Sequence, residues 1–333
     1  MKQLLRLLIF LLLLGCSNQV IRKINGVSFV ASRDAALQEH VDAVLAINAS
    51  YAAVMPYGFI RDTLTPEIIF DSDRQWFGET SKGTRQYIEI LKANKLKVMM
   101  KPQLWIWRGI FTGSLKMPTE EMWQRLEKSY EDFILTYARL AQGSGVEILC
   151  IGTELEQFVA HRPAYWKELI GKVREVYGGE LTYAANWDEY KDTPFWEDLD
   201  YIGIDAYFPL SDERTPSTEV LIKAWGPWKD DMVTLSRKLK RQVIFTEFGY
   251  RSIDYTASKP WLADREDEPA NIEAQANAKK AIFETFWKEN WFAGGFVWKW
   301  FIDHKRAGGV GDNRFTPQNK PAEQVIKAYY SSY

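Results

Sequence analysis

Cysteine and histidine are scarce in this chain of 333 residues, which contains two cysteines and three histidines. Cys16 lies in the apolar N-terminal segment and Cys150 lies in a run with the pattern of a buried strand, so no disulfide is expected. His40, His161 and His304 fall on different predicted elements and lack the spacing of metal ligands. We therefore expect no catalytic metal.

The chain also lacks an excess of one charge: 42 Lys and Arg oppose 44 Asp and Glu, and the formal net charge is −2. The two signs are interspersed, without the basic stripe that is typical of nucleic-acid surfaces. No Gly-x-Gly-x-x-Gly turn follows the first predicted strand, and neither a Walker loop nor a Gly-x-Ser-x-Gly elbow occurs. The sequence predicts no nucleic-acid partner, no cofactor and no serine-hydrolase site.

The N-terminal apolar run, Leu7–Leu14, is too short to span a bilayer as a helix. Lys2 and Arg6 precede it, as in a secretory signal. Leu-Leu-Gly-Cys16 then resembles a bacterial lipoprotein box, in which the cysteine becomes the lipidated first residue. We predict a signal peptide over residues 1–15, lipidation of Cys16, a tether over residues 16–23 and a location at the bacterial envelope, periplasmic or on the outer surface. A plain signal peptide is the alternative.

Eight apolar runs of strand length alternate with helical patterns along the rest of the chain. They are Gly26–Ala31, Ser50–Pro56, Leu96–Gln103, Ile148–Glu156, Leu181–Trp187, Tyr201–Tyr207, Gln242–Glu247 and Gly294–Trp300. Alternating βα units predict a parallel sheet, and eight units without a linker favour a closed barrel. We predict that residues 24–333 form one α/β domain, a single (β/α)8 TIM barrel.

Two irregular stretches are predicted within this pattern. Residues 57–83 read as a long loop between the second strand and its helix, and such loops are usually functional. The helical pattern over residues 218–240 is expected to break near Gly226-Pro227. The first loop, together with residues 252–269, would decide between endo and exo action by leaving a cleft open or blocking one end.

Glu154 and Glu247 stand at the ends of the fourth and seventh strands, where a barrel carries its chemistry. Two carboxyls facing each other in one mouth can break a glycosidic bond, one as the proton donor and the other as the nucleophile. A structural salt bridge is the alternative for either residue. Glu156 would point to the same side as Glu154 if the strand continued, and it is the rival for the acid.

Other polar and aromatic residues stand at strand ends. The chain has 14 Trp, most of them expected in the core. The candidates for stacking on sugar are Trp105, Trp107, Trp187, Trp298 and Trp300, and the last two are expected to share a strand face. Lys101, Gln103, Asn186 and Asp205 could bind sugar hydroxyls or be paired inside the barrel.

Four segments resemble clan A glycoside hydrolases, and most of all the family 113 β-mannanases. They are Gly152-Thr-Glu154, Thr246-Glu-Phe-Gly-Tyr-Arg-Ser252, Trp298-Lys-Trp300 and Phe315-Thr-Pro-Gln-Asn-Lys-Pro-Ala322. The resemblance implies that Glu154 is the acid/base, that Glu247 is the nucleophile and that Tyr207 hydrogen-bonds the nucleophile. Thr153 departs from the clan, most of which has an asparagine there that binds the sugar 2-hydroxyl.

We therefore expect a retaining glycoside hydrolase that cleaves β-1,4-linked mannan or manno-oligosaccharides. One alternative is a clan A hydrolase that acts on another β-glycan, such as a glucan or a galactan. The other is a non-catalytic carbohydrate-binding envelope lipoprotein. The expected partners are the glycan and, through the lipid anchor, a membrane, and the expected state is a monomer.

Overall fold

The computed structural model describes residues 22–262, 265 and 267–333. The predicted signal peptide, the lipidation site Cys16 and the tether as far as residue 21 lie outside the described residues. Within the described residues, no helix combines the length and the apolar character that crossing a membrane requires.

Eight parallel strands close into a barrel, as predicted. In chain order the strands are β1 (Ile24–Phe29), β2 (Tyr51–Val54), β3 (Tyr57–Ile60), β4 (Lys97–Met100), β5 (Gln103–Ile106), β6 (Ile148–Thr153), β7 (Glu180–Asn186), β8 (Tyr201–Ala206), β9 (Gln242–Phe248) and β10 (Phe292–Trp300). All except β3 and β5 belong to the barrel, which closes where β10 pairs with β1. Their continuous apolar character follows from burial on both faces.

The helices cover the outside of the barrel. They are α1 (Gln38–Leu45), α2 (Ser81–Ala93), α3 (Glu120–Gly143), α4 (Glu156–His161), α5 (Pro163–Val176), α6 (Thr218–Leu239), α7 (Ile272–Phe286) and α8 (Pro321–Ser332). Side-chain caps begin several of them: the Thr119 hydroxyl accepts from Met122 N–H, and Asn271 Oδ1 accepts from Ala274 N–H. Each helix buries one apolar stripe against the strands.

The interior of the barrel holds a separate cluster of buried apolar side chains, among them Ala53, Met99, Cys150, Ala184 and Phe296. A larger, aromatic-rich cluster lies between the strands and the helices. This division leaves the C-terminal end of the barrel free for polar side chains.

The segment from residue 57 to 83 is more ordered than the predicted loop. Tyr57–Ile60 forms β3, which pairs in parallel with β5 outside the barrel, and α2 already begins at Ser81. The predicted third strand is therefore two strands, because Lys101 and Pro102 interrupt the ladder between β4 and β5. This second sheet carries Tyr57, Gln103 and Trp105 towards the mouth of the barrel.

The predicted break at Gly226-Pro227 is wrong: α6 runs through Pro227 without interruption. A proline inside a helix costs about 3 kcal/mol because it removes one hydrogen bond and crowds the preceding turn. Leu221 and Trp225 on one side of it and Met232 on the other are buried against the barrel. Burial of this apolar stripe keeps both halves of the helix on the barrel surface.

Candidate active site

A cavity of about 690 Å³ opens at the C-terminal ends of the strands. Nine of the residues predicted from the sequence line it: Gln103, Trp105, Thr153, Glu154, Asn186, Trp187, Tyr207, Glu247 and Trp298. The two glutamates therefore lie in one cavity although 93 positions separate them in sequence, from 154 to 247.

The carboxylate of Glu247 receives three hydrogen-bond donors. Tyr207 Oη donates to Oε2 at 2.6 Å, and Gln103 Nε2 donates to Oε1 at 2.9 Å. Lys101 Nζ also donates to Oε1. Tyr57 in turn donates to Gln103 Oε1 at 2.6 Å, which orients the amide so that its N–H groups face Glu247. This ring of donors fits a carboxylate anion held in a single orientation.

Lys101 and Asp205 form a fully buried pair beneath Glu247. Lys101 Nζ lies 3.3 Å from the Asp205 carboxylate, whose Oδ1 also accepts from Thr246 Oγ1 at 2.7 Å. The register between β8 and β9 shifts after Ile204, and this shift sets Asp205 beside Glu247. Lys101 and Asp205 are thus paired inside the barrel, which was one of the two alternatives left open by the sequence.

Burial and the neighbouring charge of Glu247 raise the pKa of Asp205 to about 7, although the Lys101 ammonium opposes them. Burial alone would lower the pKa of Lys101, but the carboxylates of Asp205 and Glu247 outweigh it and raise that pKa. The lysine therefore stays charged, while Asp205 can take up a proton near neutral pH.

Glu154 occupies an unusual backbone conformation directly after β6. Its φ is +49°, in the left-handed region that a glutamate seldom adopts, and its N–H donates to Ala184 O at 2.8 Å. Gly152, two residues earlier, is required by close packing, since a Cβ there would lie 2.8 Å from Tyr130 Oη.

Burial, together with the negative charges of Asp205 and Glu247, raises the pKa of Glu154 well above the usual range of a carboxyl. These surroundings therefore favour the protonated form of Glu154. A protonated glutamate and a carboxylate ringed by donors in one cavity can act as a general acid and a nucleophile.

Glu156 could replace Glu154 as the acid only if strand β6 continued to it, and the strand does not. β6 ends at Thr153, and Glu156 is the first residue of α4, with an exposed side chain that does not line the catalytic cavity. The left-handed turn at Glu154 breaks the alternation on which that expectation depended. Glu156 is accordingly not placed to act as the acid.

Two predicted tryptophans lie outside the cavity lining. Trp107, in a short 3₁₀ turn after β5, is 65% exposed, and Trp300 is fully buried. The expected shared face of Trp298 and Trp300 is wrong, because the register between β1 and β10 shifts between Val27 and Phe29. Trp300 instead packs 5.5 Å from the ring of His304.

Four aromatic residues in the lining were not among the residues predicted from the sequence: Tyr57, Phe111, Trp261 and Phe315. Trp261 is 40% exposed and stacks on Trp187, with ring centroids 5.0 Å apart and planes 22° apart. Phe315 meets Tyr207 edge to face at 5.8 Å. Trp261 lies in a loop whose sequence does not indicate a position in the cavity. The position of Tyr57 depends on the pairing of β3 with β5, which the sequence pattern does not show.

Comparison with known proteins gives a consistent result. The sequence model of glycoside hydrolase family 113 matches residues 31–320. Similar solved structures include the GH113 β-mannanase AaManA from Alicyclobacillus acidocaldarius in complex with ManMIm, which is 24% identical over 93% of this chain and 97% of that chain, with a TM-score of 0.80. A GH113 β-1,4-mannanase solved as a complex is 23% identical over 93% and 99%, with a TM-score of 0.78. Comparison with curated proteins gives no match.

Proposed function

The chain belongs to glycoside hydrolase family 113, and from this premise we propose that it cleaves β-1,4-mannosidic linkages in mannan or manno-oligosaccharides with retention of configuration. It is a glycoside hydrolase by family. Its match to β-1,4-mannanases along nearly their whole length supports mannan as the substrate.

The observation that carries the proposal is the contrast between the two glutamates in one cavity. Burial and two neighbouring carboxylates raise the pKa of Glu154, which favours the protonated form that a general acid requires. Glu247 is bonded by Lys101, Gln103 and Tyr207, as suits an anionic nucleophile. Two carboxyls in such different environments can divide the roles of acid and nucleophile between them.

In the first step, Glu154 gives its proton to the glycosidic oxygen while a Glu247 oxygen attacks the anomeric carbon. The bond to the leaving sugar breaks, and a glycosyl ester with Glu247 forms. Glu247 has then lost its charge, so the pKa of Glu154 falls and the ionised Glu154 can take a proton from water. That water attacks the anomeric carbon, and Glu247 is released as a carboxylate.

Aromatic side chains supply the surfaces on which sugar rings would stack. Trp298, Trp105, which is 48% exposed, and the stacked pair Trp187–Trp261 line the same cavity as the two glutamates. We assign Trp298 to the cleaved sugar and the others to neighbouring units. Thr153 and Asn186 are the candidates for hydrogen bonds with sugar hydroxyls.

We also propose that lipid on Cys16 holds the enzyme at a bacterial envelope, as a monomer. β1 begins at Ile24, at the end of the barrel opposite the cavity, so a tether over residues 16–23 would leave the catalytic mouth facing away from the membrane. Metabolic labelling with a radioactive fatty acid tests this: label is expected in the natural chain and absent from Cys16→Ser. Label in both, or in neither, would overturn the proposal.

The test of the activity is a product profile from residues 17–333 on β-mannan, glucomannan, cellohexaose, xylan and galactan. We expect short manno-oligosaccharides, with the β-anomer detected first by NMR. Glu154→Gln should lower kcat by about 10²–10⁴-fold and leave oligosaccharide binding intact, since a general acid contributes that much. Glu156→Gln is the matched control and should remain active.

Each other outcome points to a different function. Cleavage of a glucan or galactan instead of mannan would replace the substrate. Binding without turnover would favour a carbohydrate-binding protein. First release of the α-anomer would refute retention.

A further inference from the structure

The turn that carries Glu154 is fastened to β7 by two successive backbone groups. Glu154 N–H donates to Ala184 O at 2.8 Å, and Leu155 N–H donates to the hydroxyl of Tyr183 at 2.7 Å. A left-handed glutamate persists only where its surroundings enforce it. The second contact is unusual, because a side chain, and not the sheet, supplies the acceptor.

The Tyr183 hydroxyl is itself held. Since it accepts from Leu155, its proton is directed to Glu189 Oε1, 3.2 Å away. The ring of Tyr183 is fully buried, with Trp166 and Phe195 edge to face at 5.5 Å each. These contacts hold the ring and the hydroxyl of Tyr183 in place beside the turn.

Glu189 is buried for a carboxyl, with 8% of its surface exposed. Its N–H donates to Asn186 O at 3.1 Å in the turn that follows β7. Among the described residues, its second oxygen, Oε2, has no hydrogen-bond partner. The Tyr183 hydroxyl is thus the side-chain group that hydrogen-bonds the carboxyl of Glu189 in the described structure.

We propose that Tyr183 and Glu189 are positioning residues that hold Glu154 in its left-handed turn and so direct its carboxyl at the leaving-group oxygen. The inference rests on the proposed function, since it requires Glu154 to be the acid/base. Neither residue lines the catalytic cavity, so both act through the Leu155 amide and not on the sugar.

Burial raises the pKa of Glu189 to about 8, so the side chain is a neutral acid near neutral pH. One oxygen of this neutral carboxyl can accept a hydrogen bond from the Tyr183 hydroxyl, and the group then adds no negative charge near Glu154. Glutamine has the same shape and acceptor as this neutral form. Glu189→Gln is therefore the conservative variant, and Glu189→Ala removes the acceptor.

The test compares kcat/KM on two substrates for Tyr183→Phe, which keeps the ring and deletes the hydroxyl. Mannohexaose needs a proton on its leaving oxygen, whereas a 2,4-dinitrophenyl β-mannobioside has a leaving group that departs without one. Misplacing a catalytic group by about 1 Å costs up to about 100-fold. We expect a loss of about 10–100-fold on mannohexaose and little change on the aryl substrate.

Three further variants separate positioning from general damage to the fold. Glu189→Ala should reproduce the selective loss, and Glu189→Gln should restore most of the activity. Tyr177→Phe deletes another buried hydroxyl, which donates to Val146 O at 2.9 Å at the far end of β6, and should behave as wild type on both substrates. If Tyr183→Phe does not fold, the two Glu189 variants provide the same comparison.

Equal losses on both substrates, or no loss on either, would overturn the positioning role in an enzyme that is otherwise active. Failure of Glu189→Gln to exceed Glu189→Ala would overturn the part assigned to Glu189. A wild type that cleaves neither substrate would overturn the proposed function, and this inference with it.

Discussion

Replacing Lys101 by methionine removes the ammonium that bonds both Asp205 and Glu247. Methionine has similar length and no charge, so the barrel interior remains filled. Lys101 and Asp205 are fully buried and lie 3.3 Å apart. Glu247 is also buried, with 5% of its surface exposed. Removing one partner of a buried ion pair typically costs 3–5 kcal/mol, because the remaining charge is left uncompensated. We expect a loss of about that size in the free energy of unfolding at pH 8.

The loss should depend on pH with a definite sign. The pKa of Asp205 is already raised to about 7 with Lys101 present, and removing the cation raises it further. A carboxyl whose pKa is higher in the native state binds more protons there than in the unfolded chain. Its contribution to stability is present at low pH and is lost as pH rises towards the native pKa. The deficit of Lys101→Met should therefore grow above pH 7, at up to about 1.4 kcal/mol per pH unit for one proton.

Urea denaturation at several pH values from 5 to 9 measures both effects. Wild type and Lys101→Met are compared at each pH, so other groups that titrate in both chains cancel. The double variant Lys101→Met with Asp205→Asn is the matched control, since it removes the proton-binding group and should flatten the excess slope. A single variant within about 1 kcal/mol of wild type at pH 8, or a deficit that shrinks as pH rises, would refute this account of the buried pair.

Two further predictions concern catalysis. Asp205→Asn removes a negative charge that raises the pKa of Glu154. The basic limb of the pH profile of kcat/KM, where the acid loses its proton, should therefore move to lower pH. A limb that does not move would contradict the assigned cause. Trp261→Ala removes the ring stacked on Trp187. Since such aromatic pairs contribute about 0.5–1.5 kcal/mol, KM for mannohexaose should rise by about 2–12-fold, and kcat should change little. Trp107→Ala, at an exposed position outside the cavity, is its control, and equal effects of the two would refute a platform at Trp261.

The barrel was predictable because its signals are local. Each strand is an apolar run of strand length, and burial on both faces of a parallel sheet accounts for it without reference to distant residues. The joint location of Glu154 and Glu247 followed from the same pattern, since the carboxyl ends of parallel strands meet at one mouth. Lys101, Gln103 and Asp205 were recognised as strand-end residues, but their partners were not.

The differences from the sequence-based expectations depend on backbone geometry and on long-range contacts that no single residue type indicates. The exclusion of Glu156 follows from a left-handed turn at Glu154, and the burial of Trp300 accompanies a register shift against β1. β3 pairs with β5 although more than forty residues separate them. Pro227 predicts a break from its local cost alone, and the burial of Leu221 and Trp225 keeps the helix continuous.

By itself, the sequence determined that the chain forms a barrel of parallel strands and that two glutamates stand at its mouth. Periodicity and strand ends are properties of neighbouring residues. Only the tertiary structure decided which glutamate has a raised pKa and which accepts hydrogen bonds from Lys101, Gln103 and Tyr207. Those differences arise from desolvation and from charges on other strands, which depend on distances in space and not on spacing in the chain.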